Sequence, residues 1–302
     1  MSLKKPLHTP YKNGKGGIRV GLQPISESEW LEIDDLFESE IFLKKNLLES
    51  HKKEVYQEIE SSKTAQSEFL ELLIQYLQKF HPQKYFFEDD YIQVNLQEHP
   101  LKLSRKKYSP LELASLLVQE DLVLMLKGGE DYFLGAASLC APSNWSLAEK
   151  FKGSLMALHK EVPGYEEKIG QRVGVIFKKL PENRMLERFN WSIYDSPKLF
   201  QPAKSKFQVT KGKALSYSNV GTSLYVRVER QTIRRLSLSQ AIAFTIRVHI
   251  SPLSAIQHDK DLLNDLFVAI KNLDSKMKEY KSLDGIEEIL LKWLKEKKES
   301  AL

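Results

Sequence analysis

The sequence predicts an α+β domain in which helices at both ends of the chain flank an antiparallel sheet. Three observations predict it. Apolar residues recur at helical spacing up to Phe80 and again after Asp284, alternating and β-branched segments fill the middle, and no regular strand–helix alternation links them as a doubly wound sheet would require. In order, Ser26 and Glu29 form a capping box with Ile25 and Trp30 as a staple. They open a helix whose Trp30, Ile33, Phe37, Ile41 and Leu48 share one face through about Ser50. A second amphipathic helix runs from Ser67 to Phe80 and ends at His81-Pro82. YIQVN from Tyr91 alternates as a short strand, and Ser109-Pro110-Leu111-Glu112 starts a helix to about Gln119. LVLMLK, Gly128-Gly129 and DYFLGAASLCA read as a hairpin, whose small residues from Gly135 to Ser138 leave room for another backbone or a flat ligand. A helix from Glu166 to Leu180 stops at Pro181, and MLERFNWSI follows as a strand. Asp195 to Gly221 is a long connection, and LYVRVERQTI and AIAFTIRVHI are the strongest strands. In the first of these, Tyr225, Arg227, Glu229 and Gln231 fall on one face and Leu224, Val226, Val228 and Arg230 on the other. Asp284 and Glu287 cap a last helix containing Ile289, Leu290 and Trp293.

At 302 residues, 42% hydrophobic and 28% charged, the composition is that of an ordinary globular chain able to build a sizeable core. No run of about 18 apolar residues is present to span a bilayer. The start of the chain also lacks the apolar segment of a secretory signal, so the expectation is a cytoplasmic protein without membrane contact. The formal charge is +5, but Lys4, Lys5, Lys12, Lys15 and Arg19 precede the first acidic residue, Glu27, leaving 40 basic and 40 acidic residues beyond them. That balance argues against a nucleic-acid partner. Residues 1–20 are expected as a basic, mobile, solvated arm and residues 21–302 as a single domain. Cys140 is the only cysteine. An internal disulfide and a CxxC metal site are therefore excluded, and any iron–sulfur centre must belong to a partner. A thiolate or axial-ligand role for Cys140 stands against that of an inert buried thiol.

The stretch CAPSNWSLAEKFKGSLMALHKEVPGY, Cys140 to Tyr165, holds residue types that packing alone explains poorly. Ser146 and Glu149 cap a short helix, Gly153 ends it, and SLMAL delivers His159 just before the Pro163-Gly164 turn. An imidazole held this way suits a metal or haem iron, and it equally suits a hydrogen-bonded, half-buried histidine. ERQTIRRL is the second such place: Arg227, Glu229, Arg230, Arg234 and Arg235 crowd a strand near the core. They either pair with one another or offer guanidinium forks to carboxylates such as haem propionates, with Glu229 free to bind a cationic amine or relay a proton. Dinucleotide and Walker loops, HExxH and GxSxG are all absent.

WLEIDDLF, PLELASLLVQEDL, CAPSNWSLAEK, the H-x-x-V-P-G-Y of His159 to Tyr165, NWSIYD, and ERQTIRRL followed by AIAFTIRVHISPL occur in order from about Gly21 to Leu253. In these motifs the chain resembles the haem-dependent oxidative N-demethylase α-subunit family. The resemblance implies a PAS-like antiparallel sheet binding haem b, with oxygen activated to remove a methyl group from a small secondary amine such as dimethylamine as formaldehyde. It further implies electrons from a separate flavin and iron–sulfur reductase fed by NADPH. It assigns His159 as the axial iron ligand, Arg227 and Arg230 to the cofactor's propionates or the distal pocket, and Glu229 to catalysis. A haem gas or redox sensor, or a haem-free binding protein on the same fold, are the rival readings. The family pattern has Arg at Asn144, His at Tyr194, Pro at Ser237 and Gly at Gln240, and these departures bear on the substrate more than on the fold.

Overall fold

The computed structural model describes residues 4–17, 20–129, 131–165, 170–202, 215–281, 283 and 285–301. Its centre is a seven-stranded antiparallel sheet in the order β1-β8-β9-β10-β6-β7-β2, with a separate three-stranded sheet β3-β4-β5. The strands are β1 Gln23–Ile25, β2 Tyr56–Glu58, β3 Tyr85–Phe87, β4 Tyr91–Val94, β5 Leu101–Ser104, β6 Asp121–Gly128, β7 Asp131–Ser138, β8 Met185–Tyr194, β9 Tyr225–Arg235 and β10 Ile242–Pro252. β6 and β7 form the expected hairpin, and β8, β9 and β10 correspond to the three long strand segments read from the sequence. The room beside the small residues of β7 is taken by backbone, because Glu58, Gln57 and Tyr56 pair with Ala136, Ala137 and Ser138.

The N-terminal helix starts later than its capping box suggests. The Ser26–Glu29 box is real, with the Ser26 amide donating to Glu29 Oε2 at 2.9 Å, but it closes only a single 3-10 turn, Glu27–Glu29. The helix proper is Phe37–Ser50. Between them the amides of Glu32 and Asp34 donate to the side chains of Glu120 and Gln119. Backbone donors satisfied that way gain nothing from helix formation. The helix Lys63–Phe80 begins a turn before its expected start. Pro110–Ser115 is shorter than expected, and Ser109 makes no side-chain cap bond; its hydroxyl is engaged by Tyr56. The helix expected from Glu166 is observed over Gln171–Lys179, with residues 166–169 outside the described set. The last helix is Glu287–Ser300, and Asp284, its expected cap, also lies outside the described residues, as does 203–214 of the long connection. No helix among the described residues is long and apolar enough to cross a membrane.

Directly paired residues share a face, so the register divides the sheet. Trp191, Ile193, Val226 and Val228 look onto the helices Lys260–Lys271 and Glu287–Ser300, while Leu122, Leu124 and Ala243 look onto the N-terminal helices. Both helical layers therefore lie on one side. The other side carries Val123, Met125, Leu134 and Ile233, covered by Leu147, Leu155, Tyr165 and Phe177 from the two segments that follow β7. Residues 4–17, expected as a solvated arm, are packed on the body. Tyr11 is fully buried against Trp191, and the Trp191 indole N–H donates to the Lys15 carbonyl at 3.1 Å. Burial of one large aromatic outweighs the solvation of the nearby lysines, whose ammonium groups remain free to reach water.

Candidate functional site

The second side of the sheet does not close completely. It forms the floor of a cavity of about 540 Å³, within the size range of small-molecule and cofactor sites. From β8 the floor receives Arg188, Asn190, Ser192 and Tyr194, and from β9 Glu229 and Gln231. Phe244 and Ile246 of β10 and Val123 and Met125 of β6 complete it. These positions follow from the pairings Arg188↔Gln231, Asn190↔Glu229, Gln231↔Ile246 and Phe244↔Val123. The walls come from the 139–165 segment, from residues 9–17, and from Met277, Tyr280 and Lys281.

His159 stands in the wall at the C-cap of the short helix Leu155–Leu158, whose Ser154 hydroxyl accepts from the Ala157 amide at 3.2 Å. Its Nδ1 lies 2.9 Å from the Leu155 carbonyl, so the proton is on Nδ1 and the lone pair on Nε2. The ring stacks on Tyr165, with centroids 4.3 Å apart and planes within 5°. Burial pushes the imidazole pKa down to about 4, against the Leu155 bond that raises it. At neutral pH it is an uncharged ring, fixed in orientation, with no described partner on Nε2.

Glu229 is held at the floor. Ser143 donates its hydroxyl to Glu229 Oε1, and Gln231 Nε2 donates to Oε2 at 3.0 Å. Behind Ser143 stands Arg227, which lines no part of the cavity. Its Nε donates to Ser143 Oγ at 2.9 Å and its Nη groups to the carbonyls of Ala141, Pro142, Lys198 and Leu199 at 2.8–3.3 Å. Arg230 is on the opposite face, ion-paired to Glu187 at 2.8 Å and bonded to the carbonyls of Glu29 and Trp30. The structure thus brings His159 and Glu229 to one cavity, places Arg227 one residue behind it, and leaves Arg230 across the sheet. Cys140 packs in the N-terminal core, its thiol pushed up to about 12 chiefly by burial.

Several cavity residues were missed in the sequence. Lys281 donates to the Trp191 carbonyl, stands 5.0 Å over that indole, and has its pKa pushed down to about 8 by burial. The Tyr165 and Tyr280 phenols are each pushed up to about 12, again by burial. Arg188 also lines the cavity; its signal was the strand itself, in which Arg188, Asn190, Ser192 and Tyr194 alternate with Phe189, Trp191 and Ile193. A separate cluster lies on the opposite sheet face. There Glu32 bridges His8 Nε2 at 2.7 Å and His249 Nε2 at 2.8 Å, and the potential ligand atoms of the three residues all lie within 4.8 Å of one another.

Residues 21–291 match the family described as haem-dependent oxidative N-demethylase, alpha subunit-like. The chain belongs to this family. Haem is therefore the group against which the cavity is tested, and the residues fit it. His159 offers a neutral imidazole whose second nitrogen is already engaged by a backbone carbonyl, the usual arrangement of a metal-ligating histidine. The apolar floor offers Val123, Met125, Phe244 and Ile246. Three buried polar atoms on the lining, Asn144 Oδ1, Tyr165 Oη and Arg188 Nε, have no partner within the protein. Unpaired buried groups are costly, and a bound group that pairs them removes that cost.

Proposed function

We propose that the chain is the haem b-binding subunit of an oxygen-dependent amine N-demethylase, with His159 as the axial iron ligand and its sheet as a PAS-like scaffold. The observation that carries this is His159 itself, neutral and half-buried in the cavity wall, with Nδ1–H on Leu155 and Nε2 open. When bound, haem supplies the oxygen activation that oxidises the methyl carbon, which leaves as formaldehyde. The protein's part is positional. Tyr165 and Leu155 fix the imidazole plane. The Glu229 carboxylate, oriented by Ser143 and Gln231, accepts the N–H of a small secondary ammonium such as dimethylammonium and takes up its proton. Arg227 acts on the site through Ser143. Arg230 reaches neither cofactor nor substrate in this reading; its ties to Glu187, Glu29 and Trp30 hold β9 in place. Electrons come from a separate flavin and iron–sulfur reductase, and the assembly works in the cytoplasm.

The test is the visible spectrum of the purified chain, oxidised and reduced, with and without dimethylamine. A Soret band that shifts with the amine, lost in His159→Ala while far-UV circular dichroism is unchanged, is the expected result. Full haem content in His159→Ala removes that residue from the ligand role. A haem band indifferent to the amine turns the reading towards a sensor.

A further inference from the structure

We infer that Arg188 is the carboxylate anchor of the cavity, its guanidinium binding an acidic side arm of the ligand, which for haem is a propionate. This rests on the haem reading and deepens it. Arg188 projects from β8 onto the cavity floor, opposite Gln231 and diagonal to Glu229. Its Nε is buried without a hydrogen-bond partner, and none of the described carboxylates lies within ion-pairing distance of it. Burial of the guanidinium disfavours the charge there and outweighs the opposing influence of Glu229, Tyr165 and Tyr280.

The other arginines of the sheet show what a structural guanidinium looks like in this fold. Arg227 is saturated by carbonyls and Ser143. Arg230 pairs with Glu187, and Arg247 with Asp34 and Glu40 at 2.6 and 2.7 Å. Arg235 donates to the carbonyls of Leu180 and Phe177 and to the Tyr132 hydroxyl, and Arg234 lies 4.7 Å over the Trp30 ring. None of these lines the cavity. Arg234 shares with Arg188 a buried Nε without a hydrogen-bond partner, but its guanidinium lies on the Trp30 ring on the face away from the cavity. Arg188 lines the cavity with neither an ion pair nor a ring contact among the described residues. Because a guanidinium keeps its proton, folding cannot relieve the charge by neutralising it. A partner must come from outside the chain, and a planar fork with open N–H groups selects a carboxylate. Lys281 is a weaker candidate, since its ammonium already serves the Trp191 carbonyl and ring.

The experiment is a two-by-two comparison on the full chain freed of haem: wild type and Arg188→Gln, each titrated with haem and with its dimethyl ester, in which both propionates are uncharged. Wild type is expected to bind haem roughly 10- to 100-fold more tightly than Arg188→Gln, the range of one charge-assisted pair. For the ester the two proteins are expected to agree within about twofold, the additivity error of such comparisons. Arg188→Lys keeps the charge without the fork and falls between. The urea midpoint of haem-free Arg188→Gln is expected at or above that of wild type, because an uncompensated charge has been removed. An equal loss for haem and ester, no loss for either, or a clearly lowered midpoint overturns the anchor while leaving haem binding intact. Failure of wild type to bind either porphyrin overturns the haem reading, and the anchor with it.

Discussion

Replacing Arg227 by Met separates a structural arginine from a ligand-binding one. The side chain is 1% exposed and donates to four carbonyls and one hydroxyl, tying the 141–143 segment to the 198–199 segment beneath the cavity rim. Methionine fills most of the aliphatic stem, so cavity formation is a minor effect and lost hydrogen bonding decides the outcome. Removal of a buried charge is favourable in itself, but its acceptors stay behind, which is the costly half of the exchange. The Lys198 and Leu199 carbonyls belong to exposed and half-exposed residues and regain water; Pro142 is buried and cannot. With one or two acceptors left dry at about 1–3 kcal/mol each, the net cost is about 2–4 kcal/mol. In a chain of this size that lowers Tm by roughly 3–6 °C. Urea unfolding of the haem-free protein, followed by circular dichroism, measures it. A loss below about 1 kcal/mol would show that the carbonyls do not depend on Arg227, and the contrast with Arg188 would fail.

Two further outcomes are expected besides those for His159 and Arg188. Burial pushes the Glu32 carboxyl up, but bonds from His249 and His8 and the charge of Arg230 outweigh it and hold it well below its ordinary 4.5. Its stabilisation is therefore complete above pH 4.5 and lost as pH falls below it, and Glu32→Gln flattens the acid side of a stability–pH curve measured by urea midpoints. Gln240 sits at φ 59°, in the left-handed region that favours glycine. Gln240→Gly is expected to stabilise by about 0.5–1 kcal/mol despite losing the exposed bonds to Glu182 and to the Ser237 carbonyl, an effect readable as a raised Tm.

Periodicity made the sheet legible because the long strands bury one face on helices and alternate accordingly. The segments misjudged are those where side chains compete for the backbone. LEIDDL carries the spacing of a helix, yet Gln119 and Glu120, distant in sequence, take its amides. The sequence supplies no local signal for such partners. The packing of the arm had no local signal for a related reason: a composition rich in Lys and Gly says nothing about Tyr11 finding Trp191, about 180 residues away.

For the site, local sequence reached His159 because everything that orients the ring lies within six residues of it: Leu155 on one side and Tyr165 on the other. The arginines required the sheet. Arg227 and Arg230 drew notice through crowding, although their own alternation already put Arg230 on the face away from Glu229. Crowding is the wrong signal, since charges close in sequence tend to find partners close in space. Arg188 stands in a strand with polar residues at every second position, where no carboxylate comes within ion-pairing distance and Glu229 offers only a diagonal charge, and that setting is the basis for proposing it as a ligand anchor. In this fold a buried arginine surrounded by acceptors holds the frame, and one facing an open cavity without them is the one to test for cofactor binding.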